Sequence, residues 1–343
     1  HPEIDEEYGI TGAINPEEVK RLLAETPEAE AVILPSPNYY GICSDIEAIA
    51  EVVHNAGKVL IVDQAHGAHL HFFHKYGAGD DMPESAEMSG ADIVVGSTHK
   101  ALASLTQSAI LNLCSDRVDR YVLEDKLQAV QSTSPSYVLM ASLDINAEIL
   151  EKHGQQLMNK WRENLDRFYI EAANIKGLNI MKTDMMDDTK INLDMGAYGI
   201  TGGQLEKLLM EKNIYTELNT GDILMCMTGI GNTRSDLEKL LKALEEIAAE
   251  YGTAEKSKTQ RNVVIPKGGR MHPVPKYKEF VKLEDAAGRV CAGSIIPYPP
   301  GIPFVCPGEE ISGETCAYIK ALRDAGEKVI GVNDKGQVLV GRE

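Results

Sequence analysis

The sequence predicts an α/β chain: a mostly parallel sheet domain, then a small α+β domain, then a C-terminal α+β module. Three observations predict it. Strand and helix signals alternate through the first 135 residues. The strands there are continuous apolar runs, the pattern of a parallel sheet covered on both faces. From residue 142 a long helical pattern gives way to short strands and a capped helix, and a polar run over 253–262 then marks a linker to residues 263–343.

Taken in order, Asn15 is a cap, Pro16 a first-turn proline, and Glu17 and Glu18 first-turn acids. Val19, Leu22 and Leu23 supply the apolar stripe of a helix over 16–25. AVILP, residues 31–35, reads as a buried strand stopped by proline. Ser44, Asp45, Ile46 and Glu47 have capping-box form, and Ile46, Ile49, Ala50 and Val53 carry the helical period. KVLIVD (58–63) and ADIVVGS (91–97) are the next strands. A helix over 142–173, strands at NIMK, KINLDM and DILMCMT, and a helix over 235–252 ended by Gly252 form the small domain. KVIGVNDKGQVLVG, near the end, has the form of a hairpin.

Composition narrows the partners. Of 343 residues, 34 are Lys or Arg and 52 are Asp or Glu, a formal charge of −18, which argues against nucleic acid or an anionic membrane surface. No apolar run reaches the roughly 18–20 residues that span a bilayer, and HPEIDEEYG is acidic and unlike a signal peptide. A cytoplasmic location is expected. The sequence starts at His1 and is read as a processed, cut or deliberately expressed piece. Cys43, Cys114, Cys226, Cys291, Cys306 and Cys316 are scattered without a CxxC, and are expected to be reduced core residues.

The chemistry sits at strand ends, where open α/β sheets bind ligands. Asp63 opens DQAHGAH after one strand, and Ser97, His99 and Lys100 close the next. A structural ion pair is one reading. The other is a pyridoxal phosphate site, with the lysine in a Schiff base and the carboxylate keeping the pyridine nitrogen protonated. His66, His69, His71 and His74 lack the spacing of a zinc site, so no metal is expected. Gly67 and Ala68 leave room for a flat ligand or simply make a turn. QSTSPSY (131–137) is either a helix cap or a phosphate contact. Dinucleotide, P-loop and serine-hydrolase motifs are missing where those functions need them.

SPNYYGICSDIEAIAEVVHNAG, VDQAHGAH, GSTHKALASLTQSA, QSTSPSYVLMASLD and IIPYPPGIPFVCPGE, in that order, resemble the Orn/Lys/Arg decarboxylases, enzymes of the fold-type I pyridoxal phosphate class. The resemblance implies a partial transferase-like large domain over 1–141, a small domain over 142–252 and the family's C-terminal module over 263–343. It implies Lys100 as the Schiff-base lysine, Asp63 as partner of the pyridine nitrogen, Ala65 packed on the ring and His66 on the phenolic side. Ser97 and His99 would orient cofactor and substrate, with His99 or Lys100 returning a proton to Cα. Thr133 would reach a phosphate, that of a neighbouring subunit, and Glu309 would receive the substrate's distal cation.

The implied reaction is decarboxylation of a basic amino acid in polyamine metabolism, arginine ahead of lysine or ornithine. A homo-oligomer, at least a dimer, is implied. So is an upstream part of the large domain carrying a phosphate-binding turn and a stacking histidine; it is expected as a separate or removed piece. Another fold-type I reaction, aminotransfer or a lyase step, and a non-catalytic partner of full-length decarboxylases are the alternatives. Gln64 departs from the family and is expected to point away from the ring.

Overall fold

The computed structural model describes residues 5, 8–252, 266, 268–298, 303–324 and 328–342. The chain divides into two compact units, residues 1–258 and 259–343. The linker expected over 253–262 lies outside the described residues, as do residues 299–302 of the YPPGIP stretch. Among the described residues no helix is long and apolar enough to cross a membrane.

The first unit opens with α1 (Pro16–Glu25), whose cap Asn15 accepts from Glu17 N. Strand β1 (Ala31–Pro35), α2 (Ile46–Asn55) and β2 (Val59–Asp63) follow. The capping box expected from Ser44 does not form. Asp45 caps α2 by accepting from Ala48 N, while Ser44 Oγ accepts from Ile14 N and so ties the start of the chain to the sheet. After α3 (Leu70–Lys75) come β3 (Ile93–Gly96), the single turn α4 (Thr98–Ala101) and β4 (Ile110–Leu113).

The sheet order is β1-β2-β3-β4. The first three strands are parallel, with Leu34 opposite Val62 and Val62 opposite Val94, and β4 runs antiparallel to β3. Strand β4 was not evident in the sequence. One sheet face is packed: Leu34, Leu60, Val62 and Val94 meet Val19 of α1 and Ile46, Ile49 and Val53 of α2. The other face departs from the expectation of cover on both sides, because Ile33 is 72% exposed on it.

Helix α5 (Arg120–Val130) buries none of its residues. The long α6 (Tyr137–Ala172) starts five residues earlier than its apolar pattern suggested, because Ser136 caps it through Leu139 N. Its first turns carry exposed Tyr137, Val138 and Met140, which add nothing to a periodic stripe. A second sheet, ordered β5-β6-β8-β7 and antiparallel throughout, is built from β5 (Asn179–Ile180), β6 (Lys190–Asp194), β7 (Leu218–Thr220) and β8 (Ile223–Met227). Helices α7 (Gly202–Glu211) and α8 (Arg234–Tyr251) complete it.

The largest core joins this second sheet to the first one's loops. Leu150, Met158, Trp161 and Phe168 of α6 and Leu193 and Leu224 of the second sheet pack with Ala68, Phe73, Ala101 and Leu102. Burial of that many large apolar side chains, each worth about 1.5–3 kcal/mol, locks α3 and α4 against the second sheet. Trp161 Nε1 adds a buried hydrogen bond to Thr228 Oγ1, 3.0 Å.

The second unit pairs β9 (Lys278–Lys282) with β12 (Gln337–Gly341), and β10 (Ile296–Tyr298) with β11 (Lys328–Ile330), around α9 (Gly313–Asp324). The hairpin expected over 328–341 is reduced to a turn and one bridge, Val332 to Val338. Its two strands part company at Gly331, whose φ of +90° carries the backbone so close to Ser294 O that a Cβ would sit 2.0 Å from it. All six cysteines are free; Cys43, Cys226, Cys291 and Cys316 are buried as expected, whereas Cys114 and Cys306 are exposed.

Candidate active site

Parallel strands β2 and β3 end side by side, with Asp63 opposite Val95. Their carboxyl ends therefore deliver Asp63 and the Ser97–Lys100 turn to one edge of the sheet. Asp63 is exposed and starts a tight turn, its Oδ1 accepting from Ala65 N at 3.0 Å. The turn closes as Gly67 N donates to Gln64 O, 2.9 Å. Gly67 serves this turn: a Cβ there would meet Pro37 Cδ at 2.5 Å and Gln64 Cγ at 2.9 Å. Gln64 itself is buried, donating to Glu87 and accepting from Ala86 N.

That turn brings His66 against Lys100. His66 Nε2 and Lys100 Nζ are joined by a hydrogen bond of 2.8 Å, and the Tyr39 ring lies 4.3 Å from the imidazole, centroid to centroid. Burial pushes the His66 imidazole down to about 3, helped by the charges of Lys100 and Lys190, so it is neutral at ordinary pH. Burial also lowers the Lys100 ammonium, against the upward pull of Asp63 and Glu217, and Lys190 adds to the lowering. A lysine in this setting gives up its proton more readily than a solvated one, which is what a nucleophilic amine requires.

Ser97 occupies the cap position of α4 but makes no side-chain cap bond, leaving its hydroxyl to the site. His99 Nδ1 lies 2.7 Å from Ser108 O. Since a carbonyl can only accept, Nδ1 carries the proton and Nε2 is the open nitrogen. Ala65 is half-buried beside them. Asp63, Ala65, His66, Ser97, His99 and Lys100 are thus gathered at neighbouring strand ends.

Two expected residues belong to other segments of the chain. Thr133 is exposed on the connection between α5 and α6, where Ser136 rather than Thr133 does the capping. Glu309 belongs to the second unit and is buried there. Its carboxylate accepts from Gly269 N (2.7 Å) and Cys306 N (2.9 Å), which fixes its orientation within that unit. The remaining histidines have separate partners: His74 Nε2 faces the Met82 and Pro83 carbonyls, His71 packs edge-on against Phe72, and His69 pairs with Asp187 at 3.0 Å.

Asp187 and Lys190 were missed in the sequence. Burial would raise the Asp187 carboxyl, but His69 and Lys190 outweigh it and hold the group well below the usual range. Their signal was the charged run DDTK at the head of an apolar strand, which looks like an ordinary solvated strand entrance.

Residues 1–196 match the Orn/Lys/Arg decarboxylase major domain, and residues 235–339 match that family's C-terminal domain. The chain belongs to the Orn/Lys/Arg decarboxylase family. The arginine decarboxylase of Bacillus subtilis (strain 168) is 35% identical over 350 residues, covering 97% of this chain and 70% of that protein. The constitutive lysine decarboxylase of Escherichia coli (strain K12) is 22% identical, covering 90% of this chain and 56% of that protein. The solved structure of the E. coli constitutive lysine decarboxylase superposes with a TM-score of 0.77 at 19% identity, which bears on the fold alone. It covers all of this chain, but the chain spans only 63% of that structure's length.

Pyridoxal phosphate is the cofactor of Orn/Lys/Arg decarboxylases, and the residues gathered here fit it. A half-buried amine of lowered proton affinity and an exposed carboxylate stand at adjacent strand ends. Between them, His66 Nδ1 is a buried polar atom with no partner of its own among the described residues. Such an atom costs about 1–3 kcal/mol unless a ligand satisfies it.

Proposed function

We propose that this protein decarboxylates a basic amino acid in the cytoplasm, arginine first, yielding agmatine. The observation that carries the reading is the half-buried Lys100 amine held against a neutral imidazole beside Asp63. The preference for arginine rests on the 35% and 33% identity to Bacillus arginine decarboxylases, against 22% for the lysine enzymes. A formal charge of −18 favours approach of a cationic substrate.

When bound, pyridoxal phosphate supplies an electron sink for the Cα–carboxylate bond. Lys100 would hold the cofactor through Nζ, and Asp63 would keep a proton on the ring nitrogen. His66 and Ala65 would bound the ring. Ser97 would orient the ligands through its uncommitted hydroxyl. His99, with Nδ1 fixed on Ser108 O, would take up a proton on its open Nε2 and return it to Cα from there. Glu309 would receive the substrate's distal cation, and Glu217, the second carboxylate acting on Lys100, is a further candidate for it. Thr133 would meet a phosphate across a subunit boundary, in at least a dimer, and an upstream segment would complete the pocket. Residues 1–141, 142–252 and 263–343 are the large-domain part, small domain and C-terminal module of this reading.

The test is an absorbance spectrum with pyridoxal phosphate, with and without the upstream region of a relative supplied in trans. A band near about 420 nm that disappears in Lys100→Ala, together with CO2 released from arginine faster than from lysine or ornithine, supports the reading. A keto acid product points instead to an aminotransferase. A folded chain with no Lys100-dependent band under either condition refutes the enzyme reading and leaves a non-catalytic partner.

A further inference from the structure

His69, Asp187, Thr189 and Lys190 form a polar cluster with no exposed surface at all. Lys190 Nζ donates to Asp187 Oδ2 (2.6 Å), His66 O (2.5 Å) and Thr189 Oγ1 (3.1 Å), which uses its three protons. Asp187 Oδ1 accepts from Thr189 N and Thr189 Oγ1, and Oδ2 also meets His69 Nε2. Burying such a pair is expensive, and a well-packed apolar pair of similar volume often serves stability as well or better. The cost is spent where it reaches the site: Lys190 grips the carbonyl of the residue whose ring touches Lys100.

We propose that Lys190 is a positioning residue of the Lys100 site: anchored by Asp187, its ammonium pins the His66 carbonyl and so holds the imidazole against the Lys100 amine. The contact crosses from β6 of the second sheet to the Asp63–His69 turn of the first. Though paired with Asp187, the Lys190 ammonium also adds to the lowering of Lys100. Both effects act in one direction on Lys100, since the charge and the exclusion of water each favour its neutral amine. Asp63 and Glu217 oppose them, and neither is altered by substitution at Lys190; His66 faces Lys100 directly.

This inference rests on Lys100 being the cofactor-holding lysine, and its test is independent of activity. In the cofactor-free chain, reductive methylation of Lys100 is followed by mass spectrometry between about pH 6 and 11, a range that spans lysine titration. Lys190→Met removes charge and hydrogen bonds together. Lys190→Gln with Asp187→Asn removes the charges but keeps a donor for His66 O. Folding is checked by circular dichroism and urea melts. In Lys190→Met the methylation midpoint moves to higher pH, and below it the rate falls roughly two- to five-fold, the scale of one partly screened charge. The double variant recovers part of that loss. A folded Lys190→Met with the parent's midpoint overturns the proposal. Failure of both variants to fold overturns it too, by assigning Lys190 to the fold alone. The reading of Lys100 fails separately, if the parent shows no Lys100-dependent cofactor band.

Discussion

Lowering the pH should loosen the first unit through two buried histidines. His66 is 7% exposed, and burial takes it from an ordinary value of 6.5 down to about 3. His69 is fully buried and lowered by the same cause; Lys190 already balances Asp187, so a charged His69 would leave a net positive charge in the core. Between the folded and unfolded values, the unfolded chain binds a proton at each site that the folded chain refuses. Stability is therefore fully present above pH 6.5 and is lost as the pH falls below it.

One proton corresponds to about 1.4 kcal/mol per pH unit, so His66 alone costs about 2 kcal/mol between pH 6.5 and 5, and His69 adds in the same direction. That is a sizeable part of the roughly 5–15 kcal/mol that stabilises a typical domain. Carboxylates held low, such as Asp187, titrate below this window and leave it to the histidines. Urea melts followed by the fluorescence of Trp161, the one tryptophan and 2% exposed in the main core, report this unit. His66→Gln should make the slope of stability against pH in the window shallower, leaving the His69 part. A parent whose stability is flat from pH 6.5 to 5, or a His66→Gln slope equal to the parent's, refutes the reasoning.

Asp63→Asn removes the charge facing the cofactor ring nitrogen; where the loaded enzyme decarboxylates a basic amino acid, steady-state kinetics should show a loss on the order of 10²-fold or more, with Lys100 still forming its cofactor band. Glu309→Ala strips the charged acceptor from Gly269 N and Cys306 N, so a melt of the second unit should reveal a loss of about 2–3 kcal/mol. Gly154→Ala places a Cβ 2.3 Å from Tyr76 Cε2 inside α6. The overpacking cost of about 1–3 kcal/mol should exceed the roughly 1 kcal/mol that alanine gains in helix propensity, and the urea midpoint should fall.

Strands β1, β2 and β3 were legible because each is a continuous apolar run stopped by proline, aspartate or the Gly96–Ser97 turn. Lys100, Asp63, His66 and His99 were legible because they cluster within a few residues of two such strand ends. Strand β4 was hidden by its sequence, ILNL, which is short and carries Asn112. Helix α5 was hidden because it buries nothing and so has no stripe to detect. The Asp187–Lys190 pair was invisible for a different reason. Lys190, Asn192 and Asp194 alternate with Ile191 and Leu193, the signature of a strand with one wet face. The tertiary fold dries most of that face instead: Lys190 and Asn192 are fully buried, with Asn192 Nδ2 donating to Tyr40 O. Only long-range contact decides whether such a face meets water or another part of the chain.

The shared core of the first unit also constrains motion. Ala101, one residue past Lys100, accepts from Ile230 N through its carbonyl and packs among α6, α8 and β8. Lys190 ties the neighbouring turn down from the same side. A hinge that swung the second sheet away from the first would have to break these hydrogen bonds and expose Ala68, Phe73 and Leu102 together. The two sheets would then travel as one rigid piece, carrying the half-buried Lys100 with them.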